Sequence, residues 1–246
     1  STPMLNRRQR QMCIRDRRLL EVQNFFADGN GPGDLDQSTV NYQVYLREKE
    51  ATQTLINYYQ TVRGNNFADI IESVDDFARA DAKRFELRDR LRAEAIVNRL
   101  NDSKSICIEA GPIHLLLCHL LLKRIPSGWT LKPIFVELSG LKQLGISSGL
   151  FGPGDKLTVH YLFGRTLPSE IAHLLCARTL IFMKIVNKEE YSDTSTPFPH
   201  LADEARAAAL VNHLSFEQCR KLFFEIRDQS MNAAIAMVRE LAMHKT

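Results

Sequence analysis

The stretch Ser105-Ile-Cys-Ile-Glu-Ala-Gly-Pro-Ile-His-Leu-Leu-Leu-Cys118 constrains this chain most. Its first six residues, Ser105 to Ala110, read as a buried strand, Gly111-Pro112 as a tight turn, and Ile113 onward as a helix. Glycine lets the backbone turn sharply out of a strand, and proline suits the first helical position, where its missing N–H would be unsatisfied anyway. That order places His114 in the first helical turn, at the carboxyl end of a strand, the edge where open α/β sheets bind ligands. The helix dipole disfavours a protonated imidazole there. A neutral histidine at such an edge serves as a metal ligand or a general base. The plainer alternative is a partly buried histidine donating to a backbone carbonyl.

Two more segments have the branched, apolar character of strands, Ile134-Phe-Val-Glu-Leu138 and Leu157-Thr-Val-His-Tyr-Leu-Phe163. A strand, a helix over 113–125 and a second strand within a few dozen residues form a βαβ unit, whose strands run parallel with a right-handed crossover. Helices are expected over 41–62, 67–100, 169–188, 202–214 and 216–243, with Ser215 and Gln218 forming a capping box before the last. The Gly- and Ser-containing stretch 139–155 reads as a functional lid or a mobile surface loop. The fold class that follows is α/β: a mostly parallel sheet with flanking helices and a helical C-terminal extension. Residues 18–165 form the α/β domain and 166–246 the extension.

Charge and composition exclude several function classes. A net charge of +3, with basic residues interleaved with acids as in Arg84-Phe-Glu-Leu-Arg-Asp-Arg-Leu-Arg-Ala-Glu94, gives no nucleic-acid footprint. No apolar run approaches the roughly 20 residues that a membrane span needs. Five cysteines without a C-x-x-C pair, four of them inside apolar runs, point to a reducing, cytoplasmic setting with buried thiols. There is no Gly-x-Ser-x-Gly elbow, no phosphate loop and no dinucleotide fingerprint. The start, Met12-Cys-Ile-Arg-Asp-Arg17, matches a reading frame of a transposon adapter used in shotgun sequencing. Residues 1–17 are therefore expected to be non-native, with the natural chain continuing upstream.

Three features combine around His114: the G-x-x-H-L element Gly111 to Leu115, the Leu87-Arg88-Asp89-Arg90 helix before it, and the order in which an Arg-Asp helix leads into the strand. Together they resemble the TraB/PrgY, Tiki and ChaN superfamily of α/β proteins. The likeness is concentrated in residues 88–122, with weaker α/β similarity over 18–165. The family's second His motif, on an earlier strand, has no counterpart here, as expected if that strand lies upstream. The resemblance implies that His114 lines a site near the sheet edge, with Arg88 as ion-pair or anion partner and Glu109 as acid. A divalent metal ion held by His114 and Glu109 would lower the pKa of its bound water toward roughly 7, and an arginine beside it would stabilise an oxyanion.

Two functions of different class follow as expectations. One is a metal-dependent hydrolase-like domain acting on a peptide-like or other small substrate. The other is a non-catalytic ligand- or protein-binding regulatory module on the same fold. His160 and His173, in apolar surroundings, are expected to be structural. His200 with Asp203 and Glu204 reads as a helix start whose acids complement the dipole, or as a further contribution to a site.

Overall fold

A computed structural model describes residues 17–100, 105–147, 151–189 and 197–243. Among them there is no strand. Ten α-helices account for the regular structure: α1 Arg17–Ala27, α2 Val40–Thr61, α3 Phe67–Arg99, α4 Leu115–Arg124, α5 Val136–Gln143, α6 Pro153–Leu162, α7 Ser169–Ile185, α8 Pro199–Asn212, α9 Phe216–Ile226 and α10 Met231–Met243, with one 3-10 turn at Pro32–Asp34. The expected α/β class is therefore corrected to all-α for the described residues. The adapter-like start lies outside them, Arg17 apart.

Each of the three expected strands fails for a physical reason. A strand is stable only when a neighbour takes up its N–H and C=O groups. Residues 105–110 form no ladder with another segment among the described residues; they are irregular and mostly exposed, and Ile108 packs inward. Ile134 and Phe135 are likewise unpaired, and Val136 begins α5. Residues 157–162 are helical because Gly152-Pro153 starts a helix just upstream, and Leu157, Thr158 and Leu162 then fall on one buried stripe. Gly154 permits the close approach of α6 to α7: a Cβ there would lie 3.1 Å from Thr179.

The helices expected near 41–62, 67–100 and 169–188 are present within a few residues of those limits. The Ser215–Gln218 capping box forms in both directions, with Ser215 N–H donating to Gln218 Oε1 at 2.8 Å and Gln218 N–H to Ser215 Oγ at 3.3 Å. The long last helix is broken in two, at a turn near Ser230.

The chain divides into two compact units, Ser1–Asn57 with Arg79–Lys132, and Tyr58–Ala78 with Pro133–Thr246. The first holds a small core of Ala93, Leu117 and Leu121, with Ile96, Val97 and Ile108 packed on it. The second holds the large core, organised on α7, which packs against α6, α8, α9 and α10. Its stripe of Ala172, Cys176, Ala177, Leu180, Ile181 and Ile185 is buried throughout. No helix among the described residues is long and apolar enough to cross a membrane.

Candidate functional site

The candidate site lies in the first unit, where α3 faces the start of α4. Phe85, Asp89 and Arg92 are spaced four and three residues apart, so a regular helix puts them on one face. All three meet His114. Nδ1 of the imidazole lies 2.7 Å from Asp89 Oδ1. Arg92 Nη1 lies 3.0 Å from Nε2 and 3.2 Å from Nδ1. Phe85 stands edge-on to the imidazole, with ring centroids 5.2 Å apart. The Asp89 side chain is fully buried, and those of His114 and Arg92 are only 11% and 12% exposed.

The second oxygen of Asp89 has its own task. Oδ2 accepts the Leu117 N–H at 3.1 Å. Leu117 is in the first turn of α4, where backbone donors have no intrahelical partner. His114 is the N-cap residue of α4 but makes no side-chain capping bond. Its imidazole is turned to α3, and the cap comes from Asp89 across the helix pair. A carboxylate at that end also complements the helix dipole. The first full turn of α4 starts at Leu115, two residues later than expected, because Pro112 to His114 form a turn closed by the His114 N–H donating to Gly111 O at 3.1 Å.

With Asp89 accepting from Nδ1–H, Nε2 keeps its lone pair, and Arg92 Nη1, 3.0 and 3.2 Å from the two ring nitrogens, stands against the ring and not along that lone pair. This tautomer is inferred from the hydrogen-bond network.

Of the expected site residues, His114 is at the centre of this constellation. Arg88 follows Phe85 by three residues but precedes Asp89 by one, so it points about 100° away around the helix. It reaches Glu48 of α2 instead, Nη1 to Oε1 at 3.7 Å. Arg84, one turn earlier, joins the same carboxylate at 3.4 Å and also pairs with Asp81. Burial pushes the Asp81 carboxyl above its ordinary pKa, Glu48 adds to the rise, and Arg84 and Arg88 oppose it. Glu109 is exposed, and the carboxylate at His114 is that of Asp89. Asp89 was singled out only as half of the Arg-Asp element and Arg92 was missed, although the 85/89/92 periodicity was available as a signal for both.

The expected metal centre is corrected as well. Among the described residues no group of three or more His, Cys, Asp or Glu side chains is arranged to hold a metal ion. The physical reason at His114 is Arg92: a cation 3.0 Å from Nε2 repels a metal ion at that nitrogen. Elsewhere, His173 is exposed on α7, and buried Asp203 accepts the Asn187 N–H at 2.7 Å and pairs with Arg206.

No known family profile and no solved structure matches the chain. It is 29% identical over 228 residues to a protein of Archaeoglobus fulgidus named "Uncharacterized protein", an alignment covering 90% of this chain and 77% of that one.

Proposed function

We propose that this chain is a non-catalytic binding module for a small-molecule or peptide ligand, in which Asp89, His114 and Arg92 lock α3 to α4. One observation carries this reading: the imidazole is almost wholly buried, with Asp89 on Nδ1 and the Arg92 guanidinium against the ring, and both oxygens of Asp89 are engaged within the protein. A general base needs a free lone pair within hydrogen-bond reach of a substrate proton. Here a guanidinium stands 3.0 Å from the nitrogen that would serve, and the imidazole is only 11% exposed. A reducing, cytoplasmic setting belongs to the same proposal, supported by the buried free thiols Cys176 and Cys219.

A second reading, hydrolysis of the TraB/Tiki/ChaN type without the metal, is favoured by the buried Asp89–His114 pair, since a carboxylate behind an imidazole is the arrangement that orients a catalytic histidine. The G-x-x-H element that suggested it runs from an irregular segment into a helix, so the likeness has lost its strand.

Replacing His114 by alanine and by asparagine separates the two. Removing the donor to a buried carboxylate costs about 1–3 kcal/mol. The alanine variant should show that loss in urea-induced unfolding. Asparagine, whose amide N–H can still reach Asp89, should recover part of it. Ester or peptide turnover by the wild-type chain that vanishes in the asparagine variant at unchanged stability would sink the binding-module reading.

A further inference from the structure

The second unit carries an open groove of about 870 Å³ between the first turns of α3 and α9 and the end of α10. Its floor is aromatic. Phe67 is buried and meets Phe216 and Phe224 with ring centroids 5.5 and 6.0 Å apart, and Leu241 adds an aliphatic wall. Its rim is polar, formed by Asn65, Glu217, Gln218, Arg220 and Lys221 among others. Arg220 pairs with Glu217 at 2.5 Å and Lys221 lies 3.9 Å from Glu225, with every one of these side chains at least 41% exposed. Exposed pairs of this kind hold weakly and exchange readily for an incoming anion.

The rim is also fixed in place. Arg227 donates to Gly64 O at 2.8 Å and to Asn65 Oδ1 at 3.2 Å, and its guanidinium stacks on Phe224 with 5.5 Å to the ring centroid. One side chain therefore ties the turn before α3 to the aromatic floor. Asn66 caps α3 through the Ala68 N–H at 3.1 Å, so the first turn of that helix is held as well.

An apolar floor of this volume, with a few polar groups at one edge, is the form of a small-molecule site. The charged groups lining it are Glu217, Arg220 and Lys221, and Glu225 stands behind Lys221, so an incoming anion competes with two exposed carboxylates for the two bases. We infer that the groove between α3, α9 and α10 binds a small apolar carboxylate, its hydrocarbon body on Phe67, Phe216 and Phe224 and its anionic head beside Arg220 and Lys221. This gives the binding-module reading a site, and rests on that reading.

The test titrates the full chain with decanoate, and with decanol and decylammonium as neutral and cationic counterparts, by calorimetry. Two variants at exposed positions accompany it: Ala68→Trp, which fills the groove, and the double change Arg220→Glu with Lys221→Glu, which reverses the rim. Thermal melting checks that both fold. The expected result is saturable decanoate binding in preference to decanol, weakened at least tenfold by each variant, with decylammonium preferred once the rim is reversed. The inference is overturned if decanoate shows no saturable binding, or if it binds the folded variants as tightly as the wild type. Neither outcome touches the His114 comparison, so the two readings fail separately.

Discussion

Asp81 and Asp89 stand two turns apart on α3 and show how differently one residue type is used. Asp89 is fully buried, yet each of its oxygens accepts a hydrogen bond. Asp81 is mostly buried, and the burial outweighs its arginines and pushes its pKa up. A carboxyl whose folded pKa exceeds its unfolded one binds its proton more tightly in the native state. Its favourable contribution is complete below the unfolded pKa and is lost as the pH rises through the raised value. Asp81→Asn, fixed in the neutral form, should therefore gain stability relative to wild type as the pH rises from the acid range to neutrality. Denaturant midpoints across that range would show it. A constant difference between the two proteins at every pH would mean that Asp81 does not titrate as described.

At the scale of the element, α5 and α8 meet through a glycine. A Cβ at Gly140 would lie 2.8 Å from Leu201 Cδ2 and 3.5 Å from Phe198. The nearer atom is the tip of a flexible side chain, which can rotate away. Gly140→Ala should be tolerated, with the helix-propensity gain of about 1 kcal/mol offsetting the displacement of Leu201. Gly140→Val, branched at Cβ, also meets the Phe198 ring and should cost about 1–3 kcal/mol, as overpacked sites do. Thermal melts of the pair would rank them. The same scale shows what was legible in the sequence. Long helices were readable where a cap marked them, as at Ser215, and over Phe67–Arg99 even though the apolar positions follow a helical period only loosely. The segments at 105–110, 134–138 and 157–163 were misread because a short apolar run has no decisive period, and only a partner decides its state. The site was half legible: His114 stood out chemically, but its partners depend on which face of α3 meets α4. Adjacency in sequence favours Arg88, whereas helical spacing brings Asp89 and Arg92 to His114.

For the whole molecule, the cysteines report on the two cores. Cys107 is exposed, Cys118 is partly covered, and Cys176 and Cys219 are buried. Burial pushes the Cys219 thiol up to about 12, with Arg178 opposing it, so almost none of the reactive thiolate is present at neutral pH. With Cys13 replaced by serine, a disulfide-exchange reagent at pH 8 should modify Cys107 quickly and Cys118 more slowly. Cys176 and Cys219 should react only at the rate at which the second unit opens. Fast labelling of Cys219 in the native protein would contradict the packing of α9 on α7. The division of the chain has a further consequence, for how the protein is made. Each unit is assembled from two stretches, and each is interrupted by a piece of the other. On a ribosome, residues 58–78 emerge with aromatic and branched side chains ready to be buried. Their partners begin at Pro133 and appear only after Arg79–Lys132 has been synthesised. Translation thus exposes that segment to chaperones and to neighbouring nascent chains for as long as the intervening stretch takes to make, and a pause between residues 79 and 132 would lengthen the hazard.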